Sequence, residues 1–144
     1  MQKIKSGDGY FDIQMSVEDH ATILLALEGT LAQINTFNDP FDPIHPKDFQ
    51  TAIQIMKSAL KIGETEVVVR ELLFPYMDTE IILKKLSHYT KAGQMRIAGL
   101  TAERIQMVST AFTKVLPKGD VPPHLYPKEY REGSHTTPLK KKHA

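Results

Sequence analysis

The sequence predicts a mainly α protein: an N-terminal β-hairpin, then an irregular bundle of four or five helices, then an extended C-terminal tail. Three observations carry that prediction. Apolar residues recur at helical spacing through most of the stretch before Pro117. Period-2 alternation follows a glycine-rich turn near the N-terminus. Beyond Pro117 periodicity stops and proline and lysine take over. The chain therefore divides into a helical domain with its hairpin, residues 1–117, and an extended, proline-rich basic tail, residues 118–144.

The hairpin comes first. Ile4 and Lys5 approach a Gly7-Asp8-Gly9 turn, and Tyr10 to Met15 then places Phe11, Ile13 and Met15 on one face. A two-stranded ribbon is marginal alone in water, so that face should pack on the helices. Ser16 is placed to cap a helix running to about Asn35, with Glu18 and Asp19 at the positive end of its dipole. His20, Leu24, Leu27, Leu31 and Ile34 fall on one side, with Val17, Ala21 and Ile23 widening it. Gly29 costs about 1 kcal/mol against Ala at such a position and is expected to admit the close approach of another helix.

Asn38 to Pro46 is a loop paced by Pro40, Pro43 and Pro46, each of which disfavours helix in the residue before it. Pro46 suits the first turn of a second helix, about 46–62, whose inner set is Phe49, Ala52, Ile53, Met56, Ala59 and Leu60, with Gly63 as its stop. Residues 64–77 carry two signals. Val67-Val68-Val69 favours a strand, whereas Val68, Leu72 and Leu73 keep a helical face, and the expectation here is helix, stopped at Pro75. Asp78 caps a third clear helix, about 79–92, with Ile82, Leu83, Leu86 and Tyr89 inward. After a link from Gln94 to Leu100, Thr101 caps a last helix of about 102–116, with Ile105, Val108, Phe112, Val115 and Leu116 as its stripe.

Composition narrows the function classes. At 144 residues folding buries about two-thirds of the unfolded surface, so a single core is sustainable. There is no cysteine, which removes disulfide frameworks, thiolate metal sites and cysteine nucleophiles. No apolar run approaches the roughly 18 residues of a membrane span, and the first residues lead into no signal-like segment, so the expected location is cytoplasmic. Net charge is +1, unevenly spread: the tail carries six basic and three acidic side chains, the rest twelve and fourteen. A near-neutral body with a basic tail is not the pattern of a basic nucleic-acid-binding domain.

No catalytic constellation is apparent. Asp39, Asp42, His45 and Asp48 recur every third position, but in extended backbone such residues diverge, and the two aspartates more simply cap turns before proline. Glu64 with Glu66, and Asp78 with Glu80, fit the positive ends of helix dipoles better than an acid–base pair. His20 reads as a satisfied, half-buried histidine. Gly7-Asp8-Gly9 lacks the third glycine and the helix of a dinucleotide fingerprint, and there is no phosphate-binding loop. Neither a cofactor nor a metal site is expected, and the pattern points away from an enzyme.

The remaining features point to binding. Val121, Leu125 and Tyr126 are spaced apolar anchors on a proline-stiffened segment, which docks in a groove with less entropy loss than a flexible one. Lys140, Lys141 and Lys142 would steer it electrostatically. The leading expectation is a non-enzymatic module that binds another protein, as an immunity-like or inhibitory partner or as an accessory subunit of a larger assembly. Two rivals follow from charge. One is a small nucleic-acid-associated protein that uses the basic tail. The other is a binder of small anionic ligands, with a pocket between helices and Arg70, Arg96 or Arg104 as its anion contacts.

Overall fold

The structure, a computed structural model, describes residues 1–7, 9–37, 44–72 and 78–116, with the backbone alone at positions 6, 36, 72 and 78. Two strands open the chain, β1 (Gln2–Gly7) and β2 (Tyr10–Ser16). The helices α1 (Val17–Leu31), α2 (Ile34–Phe37) and α3 (Pro46–Lys57) follow. Two further strands, β3 (Leu60–Ile62) and β4 (Glu66–Leu72), precede α4 (Asp78–Lys91) and α5 (Ala102–Val115).

All four strands join one antiparallel sheet in the order β1-β2-β4-β3. This overturns the mainly α expectation, and the architecture is a four-stranded antiparallel sheet packed with helices. The decisive segment is 60–72. Residues 64–77 do not form a helix as far as they are described, and the helix expected over 46–62 ends at Lys57. The β-branched run Val67-Val68-Val69 outweighed the helical spacing of Val68 and Leu72, because β2 offers it a complete partner. Met15 pairs with Val67 and Ile13 with Val69, so two apolar pairs meet on the same face, while Phe11 stands opposite Glu71, a buried carboxylate. Gly63, expected to stop a helix, instead turns the β3–β4 hairpin at φ +80°.

The two local helix starts have direct causes. Ser16 Oγ accepts the Asp19 N–H at 3.0 Å, and Thr101 Oγ1 accepts the Arg104 N–H at 3.1 Å. At the start of α3, Asp48 Oδ2 accepts the His45 N–H at 3.2 Å. The first helix breaks after Leu31, so Ile34, expected within it, belongs to α2. Its buried stripe is Thr22, Ile23, Ala26, Leu27 and Thr30, about a quarter of a turn from the predicted one, with Ile23 and Leu27 common to both. The two threonines can be buried because each donates to the carbonyl four residues back, Thr22 to Glu18 at 2.9 Å and Thr30 to Ala26 at 2.6 Å.

The inner face of the sheet and the helices share one core cluster. Phe37 on α2 is fully buried at its centre, with ring centroids 5.6 Å from Phe49 on α3 and 5.3 Å from Tyr89 on α4, both edge-on. The connection from α4 to α5 is also part of the core: Met95 and Ile97 are buried, and Ile97 packs against Gly29. Gly29 therefore admits a loop side chain, not a second helix. Gln33 Nε2 donates to the Arg96 carbonyl at 2.9 Å and fixes that connection to the end of α1.

Candidate docking surface on the outer sheet face

The pleat sends alternate residues of each strand to opposite faces. With Phe11, Ile13, Met15, Val67 and Val69 turned to the core, Tyr10, Asp12, Gln14, Val68 and Arg70 occupy the outer face. Leu60 pairs with Val68 and Ile62 with Glu66, which extends this face to β3. Leu60 is 70% exposed and Ile62 43%. Leu60 was expected on the inner face of a helix. As a strand residue opposite Val68 it points the other way.

The polar centre of this face is a preorganised group. Asp12 and Arg70 are cross-strand partners. Arg70 Nε donates to Asp12 Oδ1 at 2.9 Å and Nη2 donates to Oδ2 at 3.1 Å, a bidentate pair. The guanidinium carbon lies 3.9 Å from the centroid of the Tyr10 ring, within cation–π range. Gly7, opposite Tyr10, has no side chain, and the ring occupies the space a Cβ would need. Asp12 is buried under this assembly at 7% exposure, while the Arg70 side chain stays 56% exposed. The hydrogen bonds to Asp12 raise the Arg70 pKa above its ordinary value, against a lowering by desolvation and with further help from the Asp12 charge.

Beside Arg70 runs a groove of about 510 Å³. The polar stripe of α3 lines it with Lys47, Gln50, Thr51 and Gln54, and Ile55 supplies an apolar element. Ser58 closes the end next to β3. Arg70 both lines the groove and stacks on Tyr10, so the two adjoin, and Val68 links Arg70 to Leu60 along the outer face.

The three arginines expected to meet an anion do not converge. Arg70 is on β4, Arg104 on α5 and Arg96 in the connection between α4 and α5. Arg104 is engaged in a tie between helix starts: Nη2 donates to Asp19 Oδ1 at 2.8 Å and Nε to Thr22 Oγ1 at 3.3 Å. Arg96 is exposed. Two of the three lysines of α4 are engaged as well, Lys84 with Glu80 at 3.2 Å and Lys85 over the Phe37 ring at 5.3 Å, while Lys91 is exposed at the helix end. His20 joins α1 to α3 through a 2.7 Å hydrogen bond to the Met56 carbonyl.

Glu64 lies in the β3–β4 turn, and Glu66, on β4, accepts from Gln14 Nε2 at 3.2 Å. Both were expected at a helix start and neither is there. Among the described residues no three histidine or acidic side chains gather as a metal site. No helix among them is long and apolar enough to cross a membrane. The tail anchors Val121, Leu125 and Tyr126, the lysines Lys140, Lys141 and Lys142, Asp39 and Asp42 of the proline loop, Asp8 of the first turn and Pro75 all lie outside the described residues.

The Asp12–Arg70 pair is the feature that reading along the chain missed. Its partners are 58 positions apart, and only the strand assignment of 66–72 brings them together. Compared with protein-family models, curated proteins and solved structures, the chain matches none.

Proposed function

We infer that this chain is a non-enzymatic protein-binding module that docks a protein partner on the outer face of its sheet, as an immunity-like or inhibitory partner or as an accessory subunit. The observation that carries the reading is the composition of that face. Leu60 and Ile62 are exposed apolar side chains beside a Tyr10–Arg70 stack, and aromatic residues and arginine are the side chains enriched at protein interfaces. Exposed apolar residues scattered singly need no explanation, whereas these lie on one continuous surface. A cytoplasmic location belongs to the same proposal, supported by the lack of cysteine.

The test is affinity purification from native lysate with wild type, Leu60→Asp, Ile62→Asp and a control, Met107→Asp. Met107 is 61% exposed on α5, away from this face, so it tolerates the charge equally well. The reading expects a stoichiometric partner that both β3 variants lose and the control keeps. A partner kept by all three variants, but lost when the chain is cut after Pro117, transfers binding to the tail and contradicts the sheet-face reading. Recovery of nucleic acid, released by salt and without protein, favours the rival class.

A further inference from the structure

The outer face carries an unusual half-used arginine, and the groove beside it is lined by donors. A guanidinium has five N–H donors arranged as a fork. In Arg70 the side formed by Nε and Nη2 is taken by Asp12 in two hydrogen bonds. Nη1 and the second hydrogen of Nη2 make no hydrogen bond to any described residue. That end of the fork matches the two oxygens of a second carboxylate. Asp12 and Tyr10 hold the guanidinium from two directions, so ordering it for a ligand carries little entropic cost.

Charge in the groove agrees. Among the described residues its charged lining is Lys47 and Arg70, with no carboxylate. Asp12 balances Arg70, and Lys47 has no ion pair with a described residue. Ile55, half-buried in the same lining, offers a contact for one apolar side chain.

We propose that this groove receives an acidic segment of the protein partner, with one carboxylate bound end-on by Arg70, a second near Lys47 and an apolar side chain over Ile55. The inference rests on the sheet-face docking reading and names the chemistry of what docks there. Arg70 acts as an already oriented anchor, and its partner Asp12 fixes the direction in which the second carboxylate must approach.

The probe is a terminally blocked octapeptide of glutamates with one central leucine, titrated into full-length ¹⁵N-labelled protein at low ionic strength. The expected result is saturable movement of the Arg70 Nε–Hε signal and of amides along 47–58. Arg70→Lys, which keeps charge but loses the fork, should weaken the affinity about tenfold. Lys47→Gln, on an exposed helix surface where folding is unaffected, should weaken it by a smaller factor. Movement confined to other residues, or no movement, overturns the proposal. So does an equal response to inorganic phosphate, since it would mark a general anion site. An Arg70→Lys variant that keeps wild-type affinity while its spectrum stays folded overturns it too. If the lysate partner is lost with Leu60→Asp yet retained by Arg70→Lys and Lys47→Gln, docking stands and the acidic anchor fails.

Discussion

At the scale of single residues, small side chains decide how closely the elements approach. A Cβ added to Gly29 would stand 2.9 Å from Ile97 Cγ2, and Ile97 is buried at 4% exposure. Helix propensity favours alanine over glycine by about 1 kcal/mol, but forcing a methyl into a filled site costs about 1–3 kcal/mol. Gly29→Ala should therefore lower stability by up to about 2 kcal/mol, measured by urea denaturation, where propensity alone would raise it. The sequence pointed to a close approach at this position, but by another helix, and the neighbour is instead a loop side chain. Ile97 sits 68 positions away in a connection without periodicity, so nothing local announced it as core. Arg70 shows the same limit. It was legible as an arginine fit to meet an anion, but the anion that meets it is Asp12 of the same chain, brought there by sheet pairing.

At the scale of elements, locally encoded features were readable and pairing was not. The starts of α1 and α5 follow from Ser16 and Thr101, whose side chains reach only three residues ahead. The inward residues of α5, Ile105, Val108 and Phe112, follow from spacing. Residues 60–72 went wrong because Val68 and Leu72 satisfy a helix while Val67, Val68 and Val69 satisfy a strand. What settles the conflict is β2, more than fifty positions earlier. The strand register makes a sharp prediction. Met56 is fully buried at the end of α3, so Met56→Ala should cost ~2–5 kcal/mol. Leu60, one turn later and on the same face had the helix continued, is 70% exposed, so Leu60→Ser should stay within about 0.5 kcal/mol of wild type. Thermal or chemical unfolding of the two variants checks this, and equal, large losses would restore the helix over 46–62.

At the scale of the molecule, the sheet divides the chain into two chemistries. One face joins the helices in a continuous core around Phe11, Ile13 and Val69, and the other exposes Leu60, Ile62 and the Arg70–Tyr10 stack. Both edge strands carry features that oppose uncontrolled pairing, since β3 is three residues long and β1 carries Lys3 and Lys5 with a register shift between them, but β3 covers only Glu66, Val67 and Val68 of β4. Under the proposed function a partner is therefore expected on the face and the α3 groove rather than at the strand edges. Of the basic side chains on α4, α5 and their connection, Lys84, Lys85 and Arg104 hold intramolecular partners, whereas Lys91 and Arg96 are exposed.

The most direct test of the docking face is a hydrogen-exchange footprint of the purified complex against the free chain. The proposed function predicts new protection in β3, β4 and the Lys47–Ser58 stretch of α3, with α5 unchanged. Protection centred on α5 or on residues 118–144, with β3 and β4 exchanging as in the free chain, would contradict it.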